Sequence, residues 1–156
     1  MPDKTNAMRA LERLKIPYRE HFYASDGAIS GEEVARALRQ DPRRVFKTLV
    51  TTGKTGRHYV FMVPVLAELD LKKAAACAGE KSIAMLKAKD LLPLTGYVHG
   101  GCSPIGMKKP FPTAIHRTAA EFPAIFFSGG RIGVQVEMSL QDLRRVLPVQ
   151  EADLIE

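Results

Sequence analysis

A chain of 156 residues has room for one domain with a sizeable core and too little for two ordinary ones. With 46% hydrophobic and 26% charged residues, its composition excludes a disordered segment, and no apolar run approaches the roughly 20 residues that cross a bilayer. The net charge of +6 favours an anionic partner, nucleic acid foremost, against the plainer reading that it only serves solubility.

Taken in order, Met1 to Arg9 is polar and lacks the apolar stretch of a secretory signal, so the expected location is the cytoplasm. Ala7, Met8, Leu11 and Leu14 fall on one face of a helix running from Thr5 to Leu14, and Ile16-Pro17 ends it. The aromatic run from Tyr18 to Tyr23 predicts a strand. Ser30 and Glu33 form a capping-box pattern for a helix that buries Val34, Ala35 and Leu38, with a further turn starting at Asp41-Pro42. Val45 to Thr52 and His58 to Val65 predict a hairpin around Gly53-Lys54-Thr55-Gly56. Asp70 caps an alanine-rich helix ending at Gly79, followed by a short strand from Ser82 to Leu86 and a helical turn from Ala88 that stops at Pro93.

Between Gly96 and Gly106 four glycines and Pro104 stand within eleven residues. Such a stretch makes no regular element; it is a tight corner or the floor of a ligand site. Thr113 to His116 predicts a strand and Ala119 to Phe122 a helical turn. Ala124 to Ser128 and Val134 to Met138 predict a hairpin whose turn is Gly129 to Gly133. Ser139 caps a last helix with Leu140, Leu143, Val146 and Leu147 on one face. Without repeat or linker, residues 1–156 read as a single mixed α/β domain on a mostly antiparallel sheet of six or seven strands.

Candidate chemistry is sparse. Lys47 lies mid-strand on the face of Val45 and Leu49, where it marks a sheet edge or points into a cavity to meet an anion. Gly100-Gly101-Cys102-Ser103-Pro104 can offer backbone N–H donors to a carbonyl or phosphate oxygen, and Ser128-Gly129-Gly130 is a second such cradle or simply a turn. Neither has the spacing of a nucleotide-binding loop. Cys102 with His99 raises a nucleophile that no third residue supports. Cys77 and Cys102 are too few for a disulfide framework or a cysteine-rich zinc site. His21, His58, His99 and His116 lack ligand spacing, so no metal and no cofactor are expected. Lys108, Lys109, Arg117 and Arg131 make a phosphate-binding rim or a solvated face.

Phe46-Lys47-Thr48-Leu49, Leu69 to Lys73, Thr95-Gly96-Tyr97 with Gly100 to Gly106, and Ser128-Gly129-Gly130 resemble, in that order, the YbaK/EbsC family. These proteins are free-standing relatives of the editing domain in bacterial prolyl-tRNA synthetases, and the resemblance runs from Lys4 to about Ile155. It implies a mostly antiparallel sheet closing toward a barrel, with helices around it. It also implies deacylation of mischarged aminoacyl-tRNA, chiefly Cys-tRNA(Pro) and in some members Cys-tRNA(Cys), beside prolyl-tRNA synthetase. The thiol of the bound cysteine would attack its own ester. Editing of Ala-tRNA(Pro), or a non-catalytic module binding tRNA or a synthetase, are the alternatives.

By the same resemblance the key lysine falls on Lys47, the pocket tyrosine on Tyr23 and the glycine loop on Gly100 and Gly101. Lys47 is expected to anchor the ester end, and the backbone of Gly100, Gly101 and Gly129 to contact ester or oxyanion. Tyr23, Thr48 and Ser128 would shape the pocket, with the loop through Cys102 and Ser103 as the wall facing Lys47. Two positions depart from the family pattern: Arg131-Ile132-Gly133 replaces Lys-Arg-Gly, and Gln135 stands where some relatives carry Asp.

Overall fold

Thr5 opens the first helix by accepting the Met8 N–H at 3.1 Å. In the computed structural model, which describes residues 4–24 and 30–156, α1 (Asn6–Arg13) buries Ala7, Met8 and Leu11. Leu14, expected on the same stripe, is the residue that ends the helix and is 49% exposed. After β1 (Arg19–Phe22), the Ser30–Glu33 capping box starts α2 (Gly31–Ala37). A 3-10 turn capped by Asp41 leads into β2 (Phe46–Gly53) and β3 (His58–Pro64), the predicted hairpin. Asp70 accepts the N–H groups of Lys72 and Lys73 to cap α3 (Leu71–Ala78), and β4 (Ile83–Met85) follows.

The next helix, α4 (Ala88–Thr95), runs past Pro93 instead of stopping there. Proline removes a single N–H donor from so short a helix. The last turn is held by Thr95 Oγ1 donating to Leu91 O at 2.7 Å and by Gly96 N–H donating to Leu92 O at 2.8 Å. Then come β5 (Thr113–His116), β6 (Ile125–Arg131), β7 (Val134–Met138), α5 (Leu140–Val146) and β8 (Val149–Ala152).

The strands form two open sheets, ordered β1-β7-β6 and β4-β2-β3-β5-β8. Pairing is antiparallel except where β5 lies parallel to both β3 and β8. Two expectations are corrected. Eight strands are present among the described residues instead of six or seven, because the polar edge strand β8 carries no alternation to betray it. The sheets do not close into a barrel either; an isolated bridge between Val45 and Phe126 joins them. They nonetheless share one core. Phe46, Met62 and Ile115 from one sheet pack with Ile125, Phe127 and Val136 from the other, closed by Leu11 and Leu143. Each such side chain contributes about 1.5–3 kcal/mol by leaving water.

A third correction concerns the second glycine cradle. Ser128, Gly129, Gly130 and Arg131 belong to β6, and the turn itself is Ile132-Gly133. The register slips between Ser128 and Arg131, and Ser128 Oγ accepts the Gly130 N–H at 3.1 Å across the irregularity. No helix among the described residues is long and apolar enough to cross a membrane.

Candidate active site

The bridge that joins the sheets also creates the site. At Val45 the chain touches Phe126 of β6. On that same edge, the one away from β3, β2 meets β4 only from Thr51 onward, with the Leu86 N–H on Val50 O at 3.1 Å, so the segment from Lys47 to Leu49 has an open edge. That gap is a cavity of about 490 Å3. Lys47, Thr48 and Val50 line one side, and Ser128 and Gln135, a cross-strand pair on β6 and β7, line another. The start of α2, Met85, Leu86 and Leu91, and His99, Gly100 and Cys102 of the glycine loop complete the walls.

Alternation puts Lys47 and Leu49 on one face of β2 and Phe46, Thr48 and Val50 on the other. The cavity runs along the open edge and so takes in side chains from both faces. The two readings of Lys47, edge residue and cavity cation, therefore describe one position. Lys47 is half-buried and enters no ion pair with another described residue. Two residues lining this cavity carry a buried polar atom, Thr48 Oγ1 and Gln135 Oε1, with no hydrogen-bond partner among the described residues. Buried polar atoms are nearly always paired, so this coincidence points to a ligand. Two larger clefts, of about 780 and 570 Å3, lie elsewhere, against Pro104 to Pro112 and against His58 and Cys77. Neither is lined by an unpartnered buried polar atom of a described residue.

The glycine loop is stitched at its base by Lys108 N–H donating to Thr95 O at 3.0 Å. Inside it, Tyr97 Oη donates to Ile105 O, and Ser103 Oγ accepts the Ile105 N–H at 3.1 Å. Ser103 is thus fully buried and holds the loop's shape instead of facing the cavity. Gly101 is also structural: a Cβ there would sit 2.8 Å from the Ile132 backbone nitrogen, so only glycine lets the loop lie against the β6–β7 turn. Its N–H, expected to serve an ester oxygen, donates instead to Val98 O at 3.0 Å. Gly100, at φ +86, remains on the cavity wall.

Of the nine expected residues, Lys47, Thr48, Gly100, Cys102 and Ser128 come together. Gly101, Ser103 and Gly129 stand behind them. The Gly129 carbonyl takes the hydroxyl of Thr5, which ties α1 to the rear of β6. Tyr23 is half-buried just past β1, its N–H on Gly133 O at 3.0 Å, outside the cavity lining.

Sequence reasoning passed over Gln135 as a site residue. Its signal was present, because a glutamine between Val134 and Val136 on a buried strand needs a polar reason to be there. Cys102 packs with Val50, Val60 and Tyr97, and burial pushes its thiol up to about 12. It stays protonated and makes a poor nucleophile. In the deacylation that the resemblance implies, Cys102→Ala is expected to keep release of free tRNA within about twofold of the parent, whereas a covalent role would lose nearly all of it. His116 is no site residue either: it is buried, its Nδ1 accepts the Leu154 N–H, and burial holds it below the ordinary histidine range.

A mixed α/β fold with a cation and buried polar groups on one amino-acid-sized cavity suits a family that handles aminoacyl esters. The model of that family, the aminoacyl-tRNA editing domain, matches residues 27–146, and the chain belongs to it. Over 152 residues it is 45% identical to EbsC of Enterococcus faecalis, described as a candidate Cys-tRNA(Pro)/Cys-tRNA(Cys) deacylase, covering 97% of this chain and 93% of that one. A crystal structure described as a candidate trans-editing enzyme for prolyl-tRNA synthetase superposes with a TM-score of 0.86 at 25% identity, covering 97% and 95% of the two chains. A further crystal structure, of the hypothetical protein APE2540, shares the fold with a TM-score of 0.88 at 20% identity over 97% and 99%.

Proposed function

We propose that this protein is a deacylase that releases cysteine from mischarged Cys-tRNA(Pro), and from Cys-tRNA(Cys) beside it, working in trans next to prolyl-tRNA synthetase. The observation that carries this reading is the Lys47 ammonium, which has no ion pair among the described residues, on a cavity of about 490 Å3, a size suited to an amino acid with its ribose ester. The membership in an editing family and the 45% identity to EbsC support the same reaction class. A synthetase partner fits the small size of the chain, which offers little surface for reading an anticodon.

Lys47 orients the ester and stabilises the negative charge that gathers on its carbonyl oxygen, with the Gly100 wall packing against it. The nucleophile is the substrate's own thiol. Its sulfur bonds to the ester carbon, the bond from that carbon to the ribose oxygen breaks, and the thiol proton ends on the ribose oxygen. Free tRNA and a strained cysteine thiolactone result, and water opens the latter to cysteine. The test is release of free tRNA from Cys-tRNA(Pro) and Ala-tRNA(Pro) by the purified protein. We expect cysteine to leave at least tenfold faster. Equal or faster loss of alanine would overturn the cysteine assignment, and binding without release would replace the enzyme by a tRNA-binding module.

A further inference from the structure

We infer that Gln135 and Thr48 together receive the α-amino group of the esterified amino acid and so determine which acyl groups this protein accepts. The inference rests on the deacylase reading above. Gln135 is 5% exposed, and its Oε1 and the Thr48 Oγ1 are buried, unpartnered and on the same cavity as Lys47. They come from different sheets, one from β7 and one from β2, and both residues line the one cavity.

The neighbours of Gln135 do not use its amide. Its cross-strand partner on β1 is His21, whose Nε2 is 2.9 Å from Glu137 Oε1 and whose ring leans on Phe126. Its partner on β6 is Ser128, whose Oγ accepts the Gly130 N–H. Thr51, on the same strand as Thr48, has its hydroxyl on Tyr59 O at 2.9 Å, which shows how a buried threonine in this sheet is satisfied when no ligand is intended.

A carbonyl oxygen accepts and a hydroxyl both accepts and donates, so the missing partner is a ligand group rich in donors. On an aminoacyl ester the α-amine is the strongest donor near the scissile bond; a thiol donates weakly and the ribose hydroxyls lie on the far side of the ester. The amine bridging Thr48 and Gln135 would fix the third substituent of the α-carbon while Lys47 holds the carbonyl. Carbonyl, amine and side chain then have separate places, which is what orientation of a small chiral group requires.

A site built around such acceptors rejects an analogue lacking the donor, because its own buried atoms are left unpaired. The experiment compares cysteinyl-tRNA(Pro) with the same tRNA carrying a 3-mercaptopropionyl ester, which keeps thiol and ester and lacks the amine. The quantity read is the ratio of the two kcat/KM values in the parent, in Gln135→Leu, in Thr48→Val and in Gln135→Glu. Intrinsic reactivity of the two esters is the same in every enzyme and cancels from the comparison. Gln135→Leu and Thr48→Val should each lower the ratio by on the order of tenfold or more, while Gln135→Glu, which keeps acceptor oxygens, should hold it. Thr48→Val preserves shape and guards against a Gln135 variant that fails to fold. A ratio unchanged in both variants, with rates on both esters lowered together, overturns the subsite. Release of neither acyl group by the parent would overturn the deacylase reading itself, and the subsite with it.

Discussion

Lys47→Ala is expected to lower kcat/KM on Cys-tRNA(Pro) by about a hundredfold to a thousandfold while the melting temperature stays within a few degrees of the parent. The size follows from the job assigned to the ammonium: removing one preorganised group that stabilises a developing oxyanion costs about 3–4 kcal/mol of transition-state stabilisation. The unchanged stability follows from the geometry. Lys47 is half-buried and belongs to none of the ion pairs between described residues, so its loss strands no carboxylate. A cavity-facing alanine also leaves the neighbouring core residues Phe46 and Val63 in place. Lys47→Arg should recover little, since a planar guanidinium fork does not replace a compact ammonium at a carbonyl oxygen. Near-parent turnover of Lys47→Ala would remove the residue from the mechanism; loss of turnover together with a collapsed melting temperature would make it structural.

What could be read from the residues, and what could not, divides along physical lines. Local chemistry was legible: Ser30, Asp70 and Ser139 accept helix N–H groups where their side chains announce it. The β2–β3 hairpin was legible too, because its apolar return strand and glycine turn are contiguous. Relations between distant segments were not. β8 is a polar edge strand that pairs with β5, more than thirty residues upstream, so nothing local marks it. The cavity depends on the chain meeting β6 at Val45 and Phe126, just before β2 begins, and on β2 and β6 then parting, a property of two sheets and not of either strand.

The glycine loop shows the same division. Its composition correctly marks an irregular segment beside the site. Which glycine stays on the cavity wall and which serves packing is decided elsewhere, by the Ile132 backbone pressed against Gly101 and by the Val98 carbonyl that takes its N–H. Cys102 drew attention by its chemistry and is answered by its burial among Val50, Val60 and Tyr97. Gln135 was marked only as a departure from the family pattern, yet it lines the cavity and its buried Oε1 has no partner among the described residues.

Cysteinyl-tRNA(Pro) methylated on sulfur should not be deacylated above the uncatalysed rate, though it should still compete with unmodified substrate. A thioether has no proton to lose and makes a far weaker nucleophile than a thiolate, so the bond from sulfur to the ester carbon cannot form. Among the described residues the cavity wall carries no reactive thiol to replace it. The protein's own thiol there, Cys102, is held protonated by burial, with its pKa pushed up to about 12. A free thiol titrates near 8.5, so a few per cent is thiolate at pH 7, and an ammonium close to the bound sulfur enlarges that fraction. Deacylation of the unmodified substrate should therefore rise with pH up to the pKa of the bound thiol and then level off, measured as single-turnover release of tRNA. The same measurement on the methylated substrate separates the two possible nucleophiles. Undiminished cleavage with a flat profile would assign the attack to water, and Lys47 would then act on the carbonyl alone. Loss of cleavage with retained competition places the nucleophile on the substrate and leaves the protein the work of orientation and charge.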